Sequence, residues 1–553
     1  MAHESISRWT FLMGGLGLGL AAGIAKLTDY QIINVQKDRK RADERRVSNQ
    51  VLHAKRGTMY DRNGNVLASS VECQNIYVNP RLIEDRDKAA ETLSSVLGLD
   101  KASCQEKVSR DSSFAYVKRQ VDQEEADRLL AENIKGIESE PAIKRVYPYG
   151  ALASQVLGVV STDNEGVSGL EKQYDDILAG EDGSLVRERG RDGSYIAGGA
   201  YKKIPASNGT DIVTTLDANI QRAAEEAIAA SVEQTKAHYG SVVVTDPRCG
   251  EILAACSYPT YNQLDLANTQ AADMNLRVVT DAYEPGSVFK ALVCAAALDL
   301  GVVTPETTFE VPAKIKVGDD WVSDADKRTF GMTMTVREIM RRSSNTGMVM
   351  VGAKIGADHF SEYLKRYGIG TLSGVDFPGE ATGIVRSRDS YDGSSLGSMS
   401  FGQGISVSPI EITRAVGAIA NKGIMVTPHL LKSMHGKAVD KSDEDVRVIS
   451  EKAASKDISM MITVVDEGTG KGGRIDNYEI AGKTGTAQRA SQSGGYQKNS
   501  YMASFMGFAP ARDPRALVYI TLDGTPNGSD AAAVPFRSVM SSALSVLGVA
   551  PTR

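Results

Sequence analysis

The sequence predicts an α+β fold: one sheet assembled from both ends of a large domain, with helices on its faces. Three observations lead there. Strand-like runs fall in two blocks, Gly240–Asp246 with Glu251–Cys256, then Tyr478–Ala481, Met502–Phe508 and Ala516–Leu522. A mainly helical stretch separates them, and a closing helix runs from Val534 to Leu547. Ahead of all this, an uncharged apolar run from Trp9 to Ala25 ends at Lys26. The expected organisation is a short tail and single membrane anchor over 1–26, an α+β module over 27–205, and the main domain over 206–553.

At 553 residues the chain exceeds one ordinary domain. Its net charge of -6 gives no footprint for nucleic acid. The five cysteines form no C-x-x-C pair, and the six histidines are scattered without H-E-x-x-H, so no metal site and no cofactor are expected. Cys256 and Cys294 stand in apolar runs and read as small core residues.

In chain order, Trp9–Ala25 is near the lower limit for a bilayer span. A cleaved signal peptide is the competing reading, but the basic n-region is weak and no small-x-small site follows. Gly15, Gly19 and Gly23 recur every four residues, a stripe on which another membrane helix could pack; glycine is also simply common in such helices. Lys26, Lys37, Arg39, Lys40, Arg41, Arg45 and Arg46 follow the run, so the positive-inside rule points the large domain to the cytoplasm. Asp29–Arg46 reads as a polar helix. Asn63-Gly64 marks a tight turn, and the stretch from about 70 to 205 holds no catalytic constellation, which favours a spacer or docking module.

The main domain opens with an amphipathic helix over Thr215–Ser231, capped by Asp217, and two strands around the turn Pro247–Gly250. Pro285-Gly286 is a turn, after which Ser287-Val288-Phe289-Lys290 leads into Ala291–Leu298, apolar nearly all round and hence buried. Lys290 is the exception in that run. It shares a helical face with Ser287, and a desolvated lysine is a candidate base for a neighbouring hydroxyl. Taken alone, a capped helix with a snorkelling lysine explains the pattern equally well.

Two later motifs decide between these readings. Ser343-Ser344-Asn345 lies on a bend between the helical stretches Thr335–Arg342 and Met348–Lys354. Lys483-Thr484-Gly485-Thr486 is expected to end the strand that begins near Tyr478. Acyl transfer from a peptide needs a nucleophile, a base, a proton route to the leaving amine, an oxyanion site and a carboxylate clamp. Ser287 and Lys290 supply the first two. Ser343 can relay the proton, and Asn345 can hold the substrate amide and Lys290. Lys483 and Thr484 can meet a terminal carboxylate, and Gly485 leaves room for an extended peptide to join the strand edge. The N–H groups of Ser287 and Thr486 would form the oxyanion hole. Glu467–Gly472 looks like a phosphate-binding loop but lacks its first glycine and its hydroxyl residue, so it reads as an ordinary loop.

The triplet S-x-x-K, S-x-N and K-[ST]-G resembles that of the penicillin-binding protein and serine β-lactamase superfamily, and more narrowly the class B penicillin-binding proteins. Arg56-Gly57 with Asp61-Arg62-Asn63-Gly64 and Leu67-Ala68, Gly166–Glu171, Tyr283–Ser287, Phe401–Gly404 through Pro409, and Ala420–Gly423 also match that family, with Met59 in place of its usual Ile. The resemblance implies a transpeptidase domain with an antiparallel sheet flanked by helices, after an elongated pedestal or dimerisation-type module. It implies a peptidoglycan D,D-transpeptidase that forms a serine acyl-enzyme on Ser287 from a D-Ala-D-Ala stem peptide and is acylated by β-lactams. It further implies a single-pass cell-membrane protein with its catalytic domain outside the cytoplasm, against the charge count. A membrane-embedded glycosyltransferase and divisome proteins would be its partners, in a division-type rather than elongation-type role.

A β-lactamase is disfavoured because no Glu-x-x-Leu-Asn loop lies between Asn345 and Lys483. A β-lactam sensor or silent scaffold is disfavoured by the intact triplet and by the lack of room for an intracellular signalling domain. The loop Arg489–Asn499 is expected to border the cleft.

Overall fold

The computed structural model describes residues 8–28, 47–188, 196, 201–490, 496–526, 528 and 530–553. By packing these form two units: 1–55 with 73–143 and 180–209, and 56–72 with 144–179 and 210–553, each taken over its described residues.

In the smaller unit, helices Arg86–Leu97, Lys101–Ser109 and Gln123–Ala131 join the antiparallel pairing of Ile76 with Lys118 and Val78 with Ala115. Leu93, Leu97, Cys104, Val108 and Leu129 fill its core. Asp85 and Asp100 cap the first two helices by accepting from Lys88 N and Ser103 N. Arg8–Thr28 is helical over 21 residues, and Leu12, Leu16, Leu18 and Leu20 stand exposed. Among the described residues no helix is long and apolar enough to cross a membrane. The polar helix expected over Asp29–Arg46 lies outside the described residues.

The larger unit is organised on a five-stranded antiparallel sheet. Its strands are β1 (Tyr239–Thr245), β2 (Ile252–Tyr258), β3 (Ala481–Ala490), β4 (Tyr496–Ala509) and β5 (Ala516–Thr525), in the spatial order β2-β1-β5-β4-β3. Alternation along the strands sorts the two faces. Val242, Val244, Val518 and Ile520 pack with helices α1 (Ala218–Thr235) and α6 (Asp530–Val546). Val243, Leu517 and Tyr519 belong to the opposite core, with α2 (Lys290–Asp299), α3 (Val336–Arg342), α4 (Asn345–Ile355) and α5 (Glu451–Glu467).

Two expectations change. The third motif begins its strand instead of ending it, because β3 starts at Ala481. The Tyr478–Glu479 segment is held by the C-terminus, Tyr478 Oη donating to Val549 O and Glu479 N to Thr552 Oγ1. The helical stretch after Ser287 also contains two hairpins, Thr308–Val311 with Met332–Thr335 and Lys314–Val317 with Asp320–Ser323.

The matched segments at Arg56-Gly57 and Gly166–Glu171 meet in one buried cluster. Arg56 Nε donates to Glu171 Oε2, Arg56 Nη1 to Asp175 Oδ1 at 2.6 Å, and Arg145 Nε to Glu171 Oε1 at 2.7 Å. Four charges thus compensate one another where an isolated one would be costly.

Candidate active site

Ser287 lies in a 3-10 turn, Gly286–Phe289, that runs directly into α2. Residues i and i+3 eclipse in such a turn, which puts Ser287 and Lys290 on one face. Gly286 has a φ of 58°, and a Cβ there would come within 3.2 Å of Thr486 O, so the nucleophile turn abuts β3. The lead-in is pinned from both sides. Tyr283 pairs with Val407 through N–H to O bonds of 3.0 and 2.9 Å, and its hydroxyl is hydrogen-bonded to that of Tyr519 on β5.

Lys290 is fully buried. Its Nζ donates to Asn345 Oδ1 at 2.7 Å, to Ser343 O at 2.7 Å and to Ser343 Oγ at 3.3 Å. Lys483, also fully buried, donates to Ser343 Oγ and to Thr484 O, both at 2.9 Å. Burial lowers Lys290 to about 7, against the opposing pull of the Asp324 carboxylate. Burial, and then the charge of Lys290, holds Lys483 well below the usual lysine range.

Ser343 ends α3 in the left-handed region, with φ 57°, a conformation a serine adopts only when its surroundings impose it. That turn aims its hydroxyl between the two ammonium groups. Ser344 caps α4 by accepting from Gly347 N and donates to Asp324 Oδ2 at 2.8 Å. Asp324, buried with Arg328, also accepts from Thr346 N at 3.0 Å. Burial alone would raise its carboxyl; the bonds from Thr346, Ser344 and Arg328 outweigh that and keep it below the ordinary range.

These residues open on a cleft of about 440 Å³ lined by Ser287, Ser343, Asn345, Thr484 and Thr486, with Gln403 and Tyr501. β3 pairs only with β4, so its other edge is free for an added strand among the described residues. Gly485 has a second reason to be glycine. A Cβ there would run into Ser504 Oγ and come within 2.7 Å of the Val288 side chain, so the packing of the nucleophile turn against β3 demands its absence. Of the eight residues singled out from the sequence, five line this cleft, Lys290 and Lys483 are buried against Ser343, and Gly485 stands on β3 between Thr484 and Thr486.

The penicillin binding protein transpeptidase domain matches residues 240–541, and the penicillin-binding protein dimerisation domain matches 51–214. The chain belongs to the penicillin-binding protein transpeptidase family. It is 33% identical to the probable peptidoglycan D,D-transpeptidase PenA of Neisseria meningitidis, over 99% of this chain and 94% of the relative. Among solved structures, it is similar to a putative peptidoglycan glycosyltransferase from Atopobium parvulum, with a TM-score of 0.72, 38% identity, and 91% and 100% of the two chains covered. It is also similar to penicillin binding protein 3 of Mycobacterium tuberculosis complexed with aztreonam, with a TM-score of 0.71, 27% identity, and 91% and 98% covered.

Sequence reasoning missed Asp324 and Arg328 of this penicillin-binding protein, whose i, i+4 spacing was the available signal. It also missed Thr469, in the discarded phosphate-loop lookalike. Its hydroxyl is 2.9 Å from that of Thr484 and lines the cleft. Nothing in the loop's own sequence pointed to that contact. The expectation for the Arg489–Asn499 loop falls partly on 491–495, outside the described residues.

Proposed function

We propose that this protein is a peptidoglycan D,D-transpeptidase working through an acyl-enzyme on Ser287. The observation that carries the reading is the convergence of Ser287, two desolvated lysines and the Ser343 hydroxyl beside a free strand edge. A stem peptide ending in D-Ala-D-Ala adds to the edge of β3, its carboxylate towards Thr484, Thr486 and Lys483. Neutral Lys290 takes the Ser287 proton as Oγ attacks the penultimate carbonyl. The oxyanion forms against the N–H groups of Ser287 and Thr486. The proton returns through Ser343 to the leaving nitrogen, D-Ala departs, and the amine of a second stem resolves the ester as a cross-link. A β-lactam opens on the same serine and leaves no free amine to depart.

Asn345 holds the Lys290 ammonium and the substrate amide. The apolar run at Trp9–Ala25 supports a single-pass anchor with the catalytic domain outside the cytoplasm, where the substrate is. The short N-terminal module supports a division-type role, and the stripe of Gly15, Gly19 and Gly23 supports a membrane-embedded glycosyltransferase as partner within the divisome. Release of D-Ala from a synthetic pentapeptide, with cross-linked product when an amine acceptor is supplied, tests the reaction. Hydrolysis without any aminolysis would contradict it.

A further inference from the structure

A second cavity, of about 500 Å³, adjoins the active cleft and shares Ser323, Asn345, Phe401 and Gln403 with it. No residue of β3 lines it, so a peptide backbone joined to that strand cannot lie in it. Side chains of an added strand alternate between the two faces of the extended sheet, and those on one face are read by pockets. This cavity is placed to take one of them, beyond the Asn345 amide.

Its lining defines what that side chain carries. Val317 and the exposed indole of Trp321, from the hairpin Lys314–Val317 with Asp320–Ser323, offer apolar surface for a methylene stem. Arg386 and Asp320 supply one charge of each sign. Arg386 is half exposed and held by Asp392 Oδ2 at 3.0 Å. Asp392 is fixed in turn, its Oδ1 accepting from the N–H groups of Ser394 and Ser395 at 2.9 Å each. The guanidinium is therefore held at the cavity with donors to spare, suited to a carboxylate. A ligand with an ammonium end alone would leave those spare donors unused.

From this arrangement we infer that the cavity binds the side chain of the stem residue preceding D-Ala-D-Ala, and selects a side chain ending in both an ammonium and a carboxylate over one ending in an ammonium alone. The inference rests on the transpeptidase reading above. It makes Arg386 and Asp320 specificity-determining residues for the donor.

The test uses the full chain in detergent and two synthetic pentapeptide donors, identical except for meso-diaminopimelate or lysine at the third position. The readout is the ratio of their kcat/KM values for D-Ala release, which does not depend on how much of a variant is folded. The wild type should favour diaminopimelate by about tenfold, the scale of one well-placed charged contact. Arg386→Ala should bring the ratio near unity, and Asp320→Asn should weaken both donors. An unchanged ratio in Arg386→Ala, or no preference in the wild type, overturns the assignment. So does loss of aminolysis to hydrolysis in Arg386→Ala with the donor ratio intact, which would make the cavity an acceptor site. Failure of the wild type to release D-Ala from either donor, or to be labelled by penicillin, would overturn the transpeptidase reading itself, and this inference with it.

Discussion

Lys290 and Lys483, both fully buried, meet on a single hydroxyl, that of Ser343, at 3.3 and 2.9 Å. Burial lowers both lysines, and the charge of Lys290 lowers Lys483 further, so two ammonium groups this close and this dry disfavour one another. The site is thereby supplied with a base, a residual cation and a hydroxyl connecting them.

Acylation should therefore depend on pH through this pair. Lys290 acts as a base only when neutral, and its value near 7 means that the active form grows as pH rises through that range. The rate of acylation by a β-lactam should climb tenfold per unit below about 7 and level off above it. Stopped-flow measurement over pH 5 to 9 checks this. A rate that falls with rising pH would show that the lysine must be charged.

Ser343→Ala removes the hydroxyl common to both lysines while leaving their other bonds, Lys290 to Asn345 and Lys483 to Thr484 O, in place. The loss of a positioned proton carrier should cost about 10²–10⁴-fold in acylation by a peptide donor. Binding of the donor should change far less, so kcat carries the loss. Steady-state kinetics on a pentapeptide separates the two.

Asp324→Ala leaves the buried Arg328 guanidinium without its carboxylate, with only carbonyl and hydroxyl acceptors, and removes the acceptor of Ser344 Oγ and Thr346 N. Breaking a buried pair on one side costs about 3–5 kcal/mol. The melting temperature should fall, and β-lactam acylation should slow because the Ser343–Asn345 turn loses its anchor. Calorimetry and acylation rates report the two effects independently.

Asp457, on α5, is fully buried, and among the described residues neither carboxyl oxygen has a hydrogen-bond partner. Burial pushes its carboxyl well above the ordinary value. A raised folded-state value means that the unfolded chain releases its proton first, so this group costs stability increasingly as pH rises above about 4. Asp457→Val should raise the melting temperature, and by more at pH 8 than at pH 5. Thermal unfolding at the two pH values checks both the sign and the trend.

Much of this site could be read in the sequence because each motif sits on an element with its own local signal. Asp217 caps α1, Ser344 caps α4, and Pro285-Gly286 turns the chain into α2. What escaped depends on distant contacts. Asp324 and Arg328 stand in a polar run whose role appears only when the hairpin at 314–323 folds against α4. Thr469 reaches Thr484 only because α5 ends beside β3. The Arg56–Glu171–Arg145 cluster joins Arg56 to residues more than 80 positions away, which no periodicity links. The four-residue strands at 308–311 and 314–317 are too short for alternation to separate them from loop.

The most direct measurement is covalent labelling of the full chain with a fluorescent penicillin, wild type beside Ser287→Ala, followed over time. The account predicts a labelled wild type whose adduct persists for many minutes, and no label on the variant. Equal labelling of both proteins would place the nucleophile elsewhere and contradict it.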